Sequence, residues 1–236
     1  MIEAPITKKT HWTKGELFDF DIILLGKANE YLPYFVYAIE QMGQTGIGKM
    51  IDGFRSTFNL VSVKANRKLI YSGKERKLVK GSFTKNISAG RFAKIKESEI
   101  SGITVVLQTP LRLKFENNLK RAELPFHVLI RACLRRISTL FETYGKGEPA
   151  LDYKGLISLA ETVRTVHSDL SWHDWRRYSS RQDQEMLMGG LVGNIIYEGN
   201  VLNNFLPILK FCETVHIGKQ TSFGLGKFEL FFEGEE

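Results

Sequence analysis

The chain has 236 residues, 43% hydrophobic and 25% charged, with a formal net charge of +7 and five histidines. This is ordinary globular composition, with apolar material for one or two packed cores. No stretch reaches the ~18 apolar residues of a membrane span, and MIEAPITKKTHWTKGE lacks the apolar region of a secretory signal. Cys133 and Cys212 stand far apart without CxxC spacing, which excludes a cysteine metal site and predicts free buried thiols in a reducing cytoplasm.

In chain order, LFDFDIILLG from Leu17 predicts a buried strand. Asn29 is a candidate N-cap for a helix whose apolar stripe is Leu32, Phe35, Val36, Ile39 and Met42, with Gly43 as its stop. A glycine loop, GQTGIGK, precedes a strand in FRSTFNLVSV. Residues 64–96 then carry eleven Lys or Arg against the single acid Glu75, and 64–100 reads as a basic linker or inserted hairpin. GITVVLQTPLRLKF alternates as a strand with Arg112 and Lys114 facing outward. Pro125 opens a helix with Leu129, Ile130, Cys133, Leu134, Ile137, Leu140 and Phe141 on one side. A strand is expected around Trp172–Ser180 and another in LVGNIIYEG. A helix with Phe205, Ile208, Leu209, Cys212 and Val215 follows, stopped by Gly218, then the loop GKQTSFGLGK and the strand KFELFFE.

Strand, helix, glycine loop and strand thus occur twice. Leu32-Pro33 matches Leu206-Pro207, and Gly46-Ile47-Gly48-Lys49 matches Gly224-Leu225-Gly226-Lys227. From residue 101 onward the order is β-α-β-β-α-β, the ferredoxin-like unit. The expected fold class is α+β: tandem ferredoxin-like (RRM-like) domains, antiparallel sheets with helices on one face, the first domain incomplete. The expected division is 1–63 for the partial domain, 64–100 for the basic insertion and 101–236 for the complete domain.

GQTGIGKM imitates a phosphate-binding P-loop, but Met50 offers no hydroxyl and the segment runs from helix to strand. The glycine loops instead suggest backbone nests for phosphate. Gly46, Gly48 and Lys49 form one, and Gly218, Lys219, Gly224, Gly226 and Lys227 the other. SWHDWRRYSSRQ interleaves Trp172, Trp175 and Tyr178 with Arg176, Arg177 and Arg181, an arrangement that stacks on bases and pairs with phosphates. On a strand, one face of that segment turns to the core. His127 shares a helical stripe with Arg131 and Arg135, whose charge favours a neutral imidazole suited to a general base; His173 is a second candidate. His11 and His216 read as surface and His167 as part of a polar helix end. No spacing suggests zinc, and no cofactor is expected.

The closing stretch RYSSRQDQEMLMGGLVGNIIYEGN…LPILKFCETVHIGKQTSFGLGKFEL, with LLGKANEYLPYFVYAIEQMGQTGIGKMIDGF near the start, resembles the CRISPR repeat-RNA-processing endoribonucleases of the RAMP superfamily. The resemblance implies a CRISPR repeat transcript as partner, together with other CRISPR-associated proteins. It also implies metal-independent cleavage by the ribose 2′-OH. That family's usual catalytic histidine lies in a first-domain segment with no match here, so no catalytic residue carries over. The alternatives are a non-catalytic RNA-binding subunit and a protein-interaction module.

Overall fold

The computed structural model describes every residue except 8, 10, 80, 82, 94–99, 114–122, 175, 180–182 and 233–236. The chain forms two compact units. One is Leu24–Ile87; the other joins Met1–Ile23 to Ser88–Glu236. The first 23 residues therefore cluster with the C-terminal domain and not with the residues that follow them.

At the N-terminus β1 (Ile2–Glu3) pairs antiparallel with β2 (Asp21–Ile22). The strand expected from Leu17 is thus cut to two residues, and Leu17 itself is 77% exposed. In the unit Leu24–Ile87 a 3₁₀ turn, Gly26–Tyr31, leads into α1 (Leu32–Thr45). Asn29 does not cap α1; its amide donates to the Gly26 carbonyl inside the preceding turn. Pro33 sits in the first turn, where a missing N–H costs nothing. Gly43 is not the stop either. It lies within α1, so close to the Phe58 carbonyl that a Cβ would collide. The helix ends at Gly46, whose N–H donates to Met42 O. Beyond it, β3 (Ile47–Ile51) pairs with β4 (Phe54–Ser56). Then β5 (Ser62–Ala65), β6 (Lys68–Ser72) and β7 (Lys77–Leu78) make an antiparallel meander. The run 54–63 is therefore two strands in two sheets. Tyr71 on β6 is buried, and its hydroxyl donates to the Glu40 carboxylate of α1.

The other unit carries β8 (Gly102–Leu111), α2 (Phe126–Tyr144), α3 (Tyr153–Ala160), β9 (Arg164–His173), the hairpin β10 (Arg176–Ser179) and β11 (Gln184–Leu187), β12 (Gly190–Glu198), α4 (Leu206–Val215) and β13 (Phe228–Phe232). Its four-stranded sheet is antiparallel throughout, in the order β13-β8-β12-β9. That is the ferredoxin-like order, in which each strand–helix–strand crossover brackets another strand. With the other sheets and helices, the chain is α+β in the manner of tandem ferredoxin-like domains.

Register assigns the faces. Leu230, Val105, Ile195 and Ser168 lie on one rung, and the first three of these are buried beneath the helices. The next rung, Phe231, Thr104, Ile196 and His167, faces the other way, and Phe231 is 53% exposed. The core is closed by Leu129, Ile130, Cys133 and Ile137 of α2 and Leu209 and Cys212 of α4, all fully buried. Each such aliphatic side chain contributes roughly 1.5–3 kcal/mol. At one end of the helix layer the ring of Phe126 meets Phe205 at 5.2 Å and Tyr197 at 5.0 Å. Further along α2, Arg136 donates to Val215 O at the end of α4. The two helices therefore run in the same sense.

Two readings of this region need correction. The second ladder strand is Arg164–His173, and Arg176–Ser179 belongs to a separate hairpin. His167 consequently lies on a strand and not at a helix end. The crossover before β9 also holds a second helix, α3, capped by the Asp152 side chain, which accepts from Gly155 N.

The repeated motif has matching local geometry. Each helix is preceded by a 3₁₀ turn and carries proline in its first turn. Gly46 and Gly48 have φ of +82° and +85°, and Gly224 and Gly226 have +82° and +75°. A side chain is strained at such angles. In the first copy, however, Gly48 and Lys49 lie inside β3, whereas in the second the turn precedes β13.

Candidate nucleic-acid interface

Three segments meet where β8 ends and β12 begins. The Lys219 N–H donates to Arg112 O at 3.0 Å, and the Gly226 N–H to Pro110 O at 3.1 Å. Thr109 Oγ1 donates to Gly224 O at 2.8 Å and accepts the Lys227 N–H at 2.9 Å. A Cβ on Gly218 would sit 2.8 Å from Arg112 O, so only glycine lets the loop lie this close. The third segment is the β10–β11 hairpin, held by Arg112 Nη1 donating to Leu187 O at 2.7 Å. The Nε of Arg112 is buried with no hydrogen-bond partner among the described residues.

The second glycine loop is therefore bolted to β8 by its own amides. The Gly224 N–H is likewise spent, on Thr221 O. This overturns the expectation of a backbone nest open to phosphate there: Gly224, Leu225 and Gly226 are buried, and what the loop exposes is Gly218, Lys219, Ser222 and Phe223. Gly48, in the other unit, is exposed with open space around its Cα, and Gly46 is buried.

His216 also departs from its sequence reading. It is fully buried at the end of α4. Its Nδ1 lies 3.2 Å from Leu225 O, and its Nε2 lies 2.6 Å from Glu3 Oε1. The other oxygen of Glu3 accepts from Lys227 Nζ at 2.7 Å. Hydrogen bonding from His216, with a further contribution from Lys227, outweighs the cost of burial and holds the Glu3 carboxyl at a pKa of about 2. The Lys227 ammonium is thus already paired. Nothing near residue 216 could reveal this, because the partner is 213 positions away.

The remaining candidates separate by place. Trp172 stands opposite Leu191, on the helix side of the sheet, half-buried, its indole N–H bonded to Asp174 Oδ1 at 2.8 Å. His173 stands opposite Gly190 on the uncovered face and is exposed. Arg176 is 69% exposed and pairs with Glu185 at 3.1 Å across the hairpin. Arg181 and Trp175 lie outside the described residues. Of Lys49, Arg177 and Tyr178 only the backbone is described: Lys49 on β3, Arg177 and Tyr178 on β10. His127, half-buried, follows Leu124, whose carbonyl accepts the Tyr197 hydroxyl at 2.6 Å; Tyr197 pairs with Ile103 at the start of β8. His173 belongs to the end where Leu111 lies. Eight strand residues, roughly 26 Å, separate those ends. His127 and His173 therefore do not share one reaction centre.

Charge distinguishes the sheet's end from its open face. The face carries Asp169, Glu198 and Glu229, and its one described Arg or Lys, Arg164, is paired with Glu198 at 3.5 Å. The end carries Arg112, Arg176 and Lys219, with Glu185 paired to Arg176. Arg112, just past the end of β8, was legible as an outward-facing cation; its hairpin contact was not.

The family model for CRISPR-associated endoribonuclease Cas6 matches residues 105–228. The chain belongs to that family. The Cas6 match begins in β8 and closes just after the second glycine turn, so it encloses Arg112, Arg176, His216, Lys219 and Lys227. A second model, described as an N-terminal domain, matches residues 1–83. An uncharacterized protein of Archaeoglobus fulgidus is 29% identical over 219 residues, covering 92% of this chain and 67% of that one. Among solved structures, Thermus thermophilus Cas6 aligns at 10% identity over 61% of this chain and 58% of its own, with a TM-score of 0.45. A partial Cas6-RT-Cas1–Cas2 complex aligns at 19% identity over 63% of this chain and 25% of its own, with a TM-score of 0.43. The chain thus spans less than two thirds of the length of these two structures' own chains. Among the described residues, no helix is long and apolar enough to cross a membrane.

Proposed function

We propose that this chain grips CRISPR repeat RNA at the end of the β13-β8-β12-β9 sheet and, as part of a Cas6-type endoribonuclease, takes part in cutting it without a metal ion. The observation that carries the reading is the gathering of Arg112, Lys219 and Arg176 where the glycine loop and the hairpin meet β8. Arg112 and Lys219 supply charge to phosphates, and the exposed ring of Phe223 supplies a surface on which a base stacks. In the reaction, the ribose 2′-OH gives up its proton and attacks the adjacent phosphorus, the bond to the 5′ oxygen of the next nucleotide breaks, and that oxygen takes up a proton. The products are a 2′,3′-cyclic phosphate and a 5′-OH. Cations offset the charge that grows on the phosphorane oxygens.

The test is incubation of end-labelled repeat RNA with the protein in EDTA. A cyclic-phosphate product, lost when the 2′-OH at the cut is replaced by hydrogen, supports the cleavage reading. A second reading, binding without cleavage, is favoured by the separation of His127 from His173. It predicts a retained complex and uncut RNA in the same assay.

A further inference from the structure

We infer that His216 and Lys227 form an anion-binding site at the foot of the second glycine loop, filled internally by the Glu3 carboxylate, which a phosphodiester oxygen of RNA occupies when β1 is displaced. The inference rests on the RNA-binding reading above and adds to it a site that the chain itself keeps closed.

The carboxylate is bracketed on both oxygens, at 2.6 Å by His216 and 2.7 Å by Lys227. Both ring nitrogens of His216 face oxygen acceptors, Leu225 O and Glu3 Oε1. With the His216 ring against one oxygen and the Lys227 ammonium against the other, the carboxylate is held at both ends, and a singly charged phosphodiester presents two oxygens to the same pair of groups. The depressed pKa of Glu3 agrees with a site built for an anion.

The internal occupant sits on a weakly held segment. The β1 ladder is two residues long, and Ile2 within it and Ile6 beyond it are 54% and 57% exposed. Segments with few buried apolar contacts open at low free energy. Beside the site lies a cleft of about 430 Å³ lined by Glu3, Pro5, Thr109, Phe223 and Lys227. Lys219 stands on the same loop as Lys227.

The experiment is a double-mutant cycle read by anisotropy of a labelled single-stranded repeat RNA over a salt series. The full chain is used as wild type, Glu3→Gln, Lys227→Ala and the double variant. Glu3→Gln is expected to bind on the order of fivefold tighter, with a log–log salt slope steeper by about 0.7, the value for one added phosphate contact on a single strand. Lys227→Ala is expected to weaken wild-type binding less than it weakens Glu3→Gln and to abolish the gain in the Glu3→Gln background. Equal losses from Lys227→Ala in both backgrounds would show a site already open, and an unchanged Glu3→Gln affinity would show that Glu3 blocks nothing; either overturns the inference. Should Glu3→Gln fail to fold, Glu3→Asp, too short to span both cations, carries the same test with a smaller gain. RNA binding by no form at low salt sinks the underlying reading as well, and so is distinct from the other failures.

Discussion

The thiol of Cys212 on α4 points at the carbonyl of Cys133 on α2, 3.6 Å away. Both cysteines are free and fully buried, and burial pushes the Cys212 thiol well above its ordinary pKa. A buried thiol with a raised pKa is a poor nucleophile. Native protein should therefore leave both cysteines unreacted with a thiol reagent, and denatured protein should titrate both. Cys133→Ala should cost about 1 kcal/mol by the cavity it leaves, measured by urea unfolding.

Tyr197 donates its hydroxyl to Leu124 O at 2.6 Å, fully buried beneath Phe126. Tyr197→Phe leaves that carbonyl without its donor, at a cost of about 1–2 kcal/mol in denaturant unfolding. Because the pair lies at the opposite end of β8 from Arg112, RNA affinity should not change.

Glu3 ionises at about 2 in the folded chain against an ordinary value of 4.5. The unfolded chain therefore takes up this proton first as pH falls. The stabilisation is complete above about 4.5 and is lost as pH drops through about 2. Unfolding midpoints measured across that window should fall less steeply for Glu3→Gln than for wild type.

The Arg176–Glu185 pair is 69% and 63% exposed, and pairs of that kind contribute about 0–1 kcal/mol. Arg176→Ala should leave thermal stability nearly unchanged while weakening RNA binding, a split that an ordinary structural role does not produce.

What the sequence disclosed follows the strength of its patterns. β8, β12, β13, α2 and α4 carry apolar residues at every second position or in a helical stripe, because each turns one side to the core. β9 was misplaced because it is an edge strand: RTVHSDLSWH is exposed along nearly its whole length and alternates weakly. α3 is eight residues long, and only Asp152 marks its start. The glycine turns were recognised, but not how their amides are used, since Thr109 and Pro110 lie more than a hundred residues away. His216 was read as surface for the same reason. Its burial and its charge partner come from Glu3, and local sequence holds no trace of that contact.

The central claim is that Arg112, Arg176 and Lys219 at one end of the sheet hold RNA phosphates. It is tested most directly by the salt dependence of repeat-RNA binding for wild type and for the triple variant Arg112→Ala/Arg176→Ala/Lys219→Ala. At about 0.7 per contact on single-stranded RNA, the slope should flatten by about 2. A triple variant that binds with wild-type affinity and slope would contradict it.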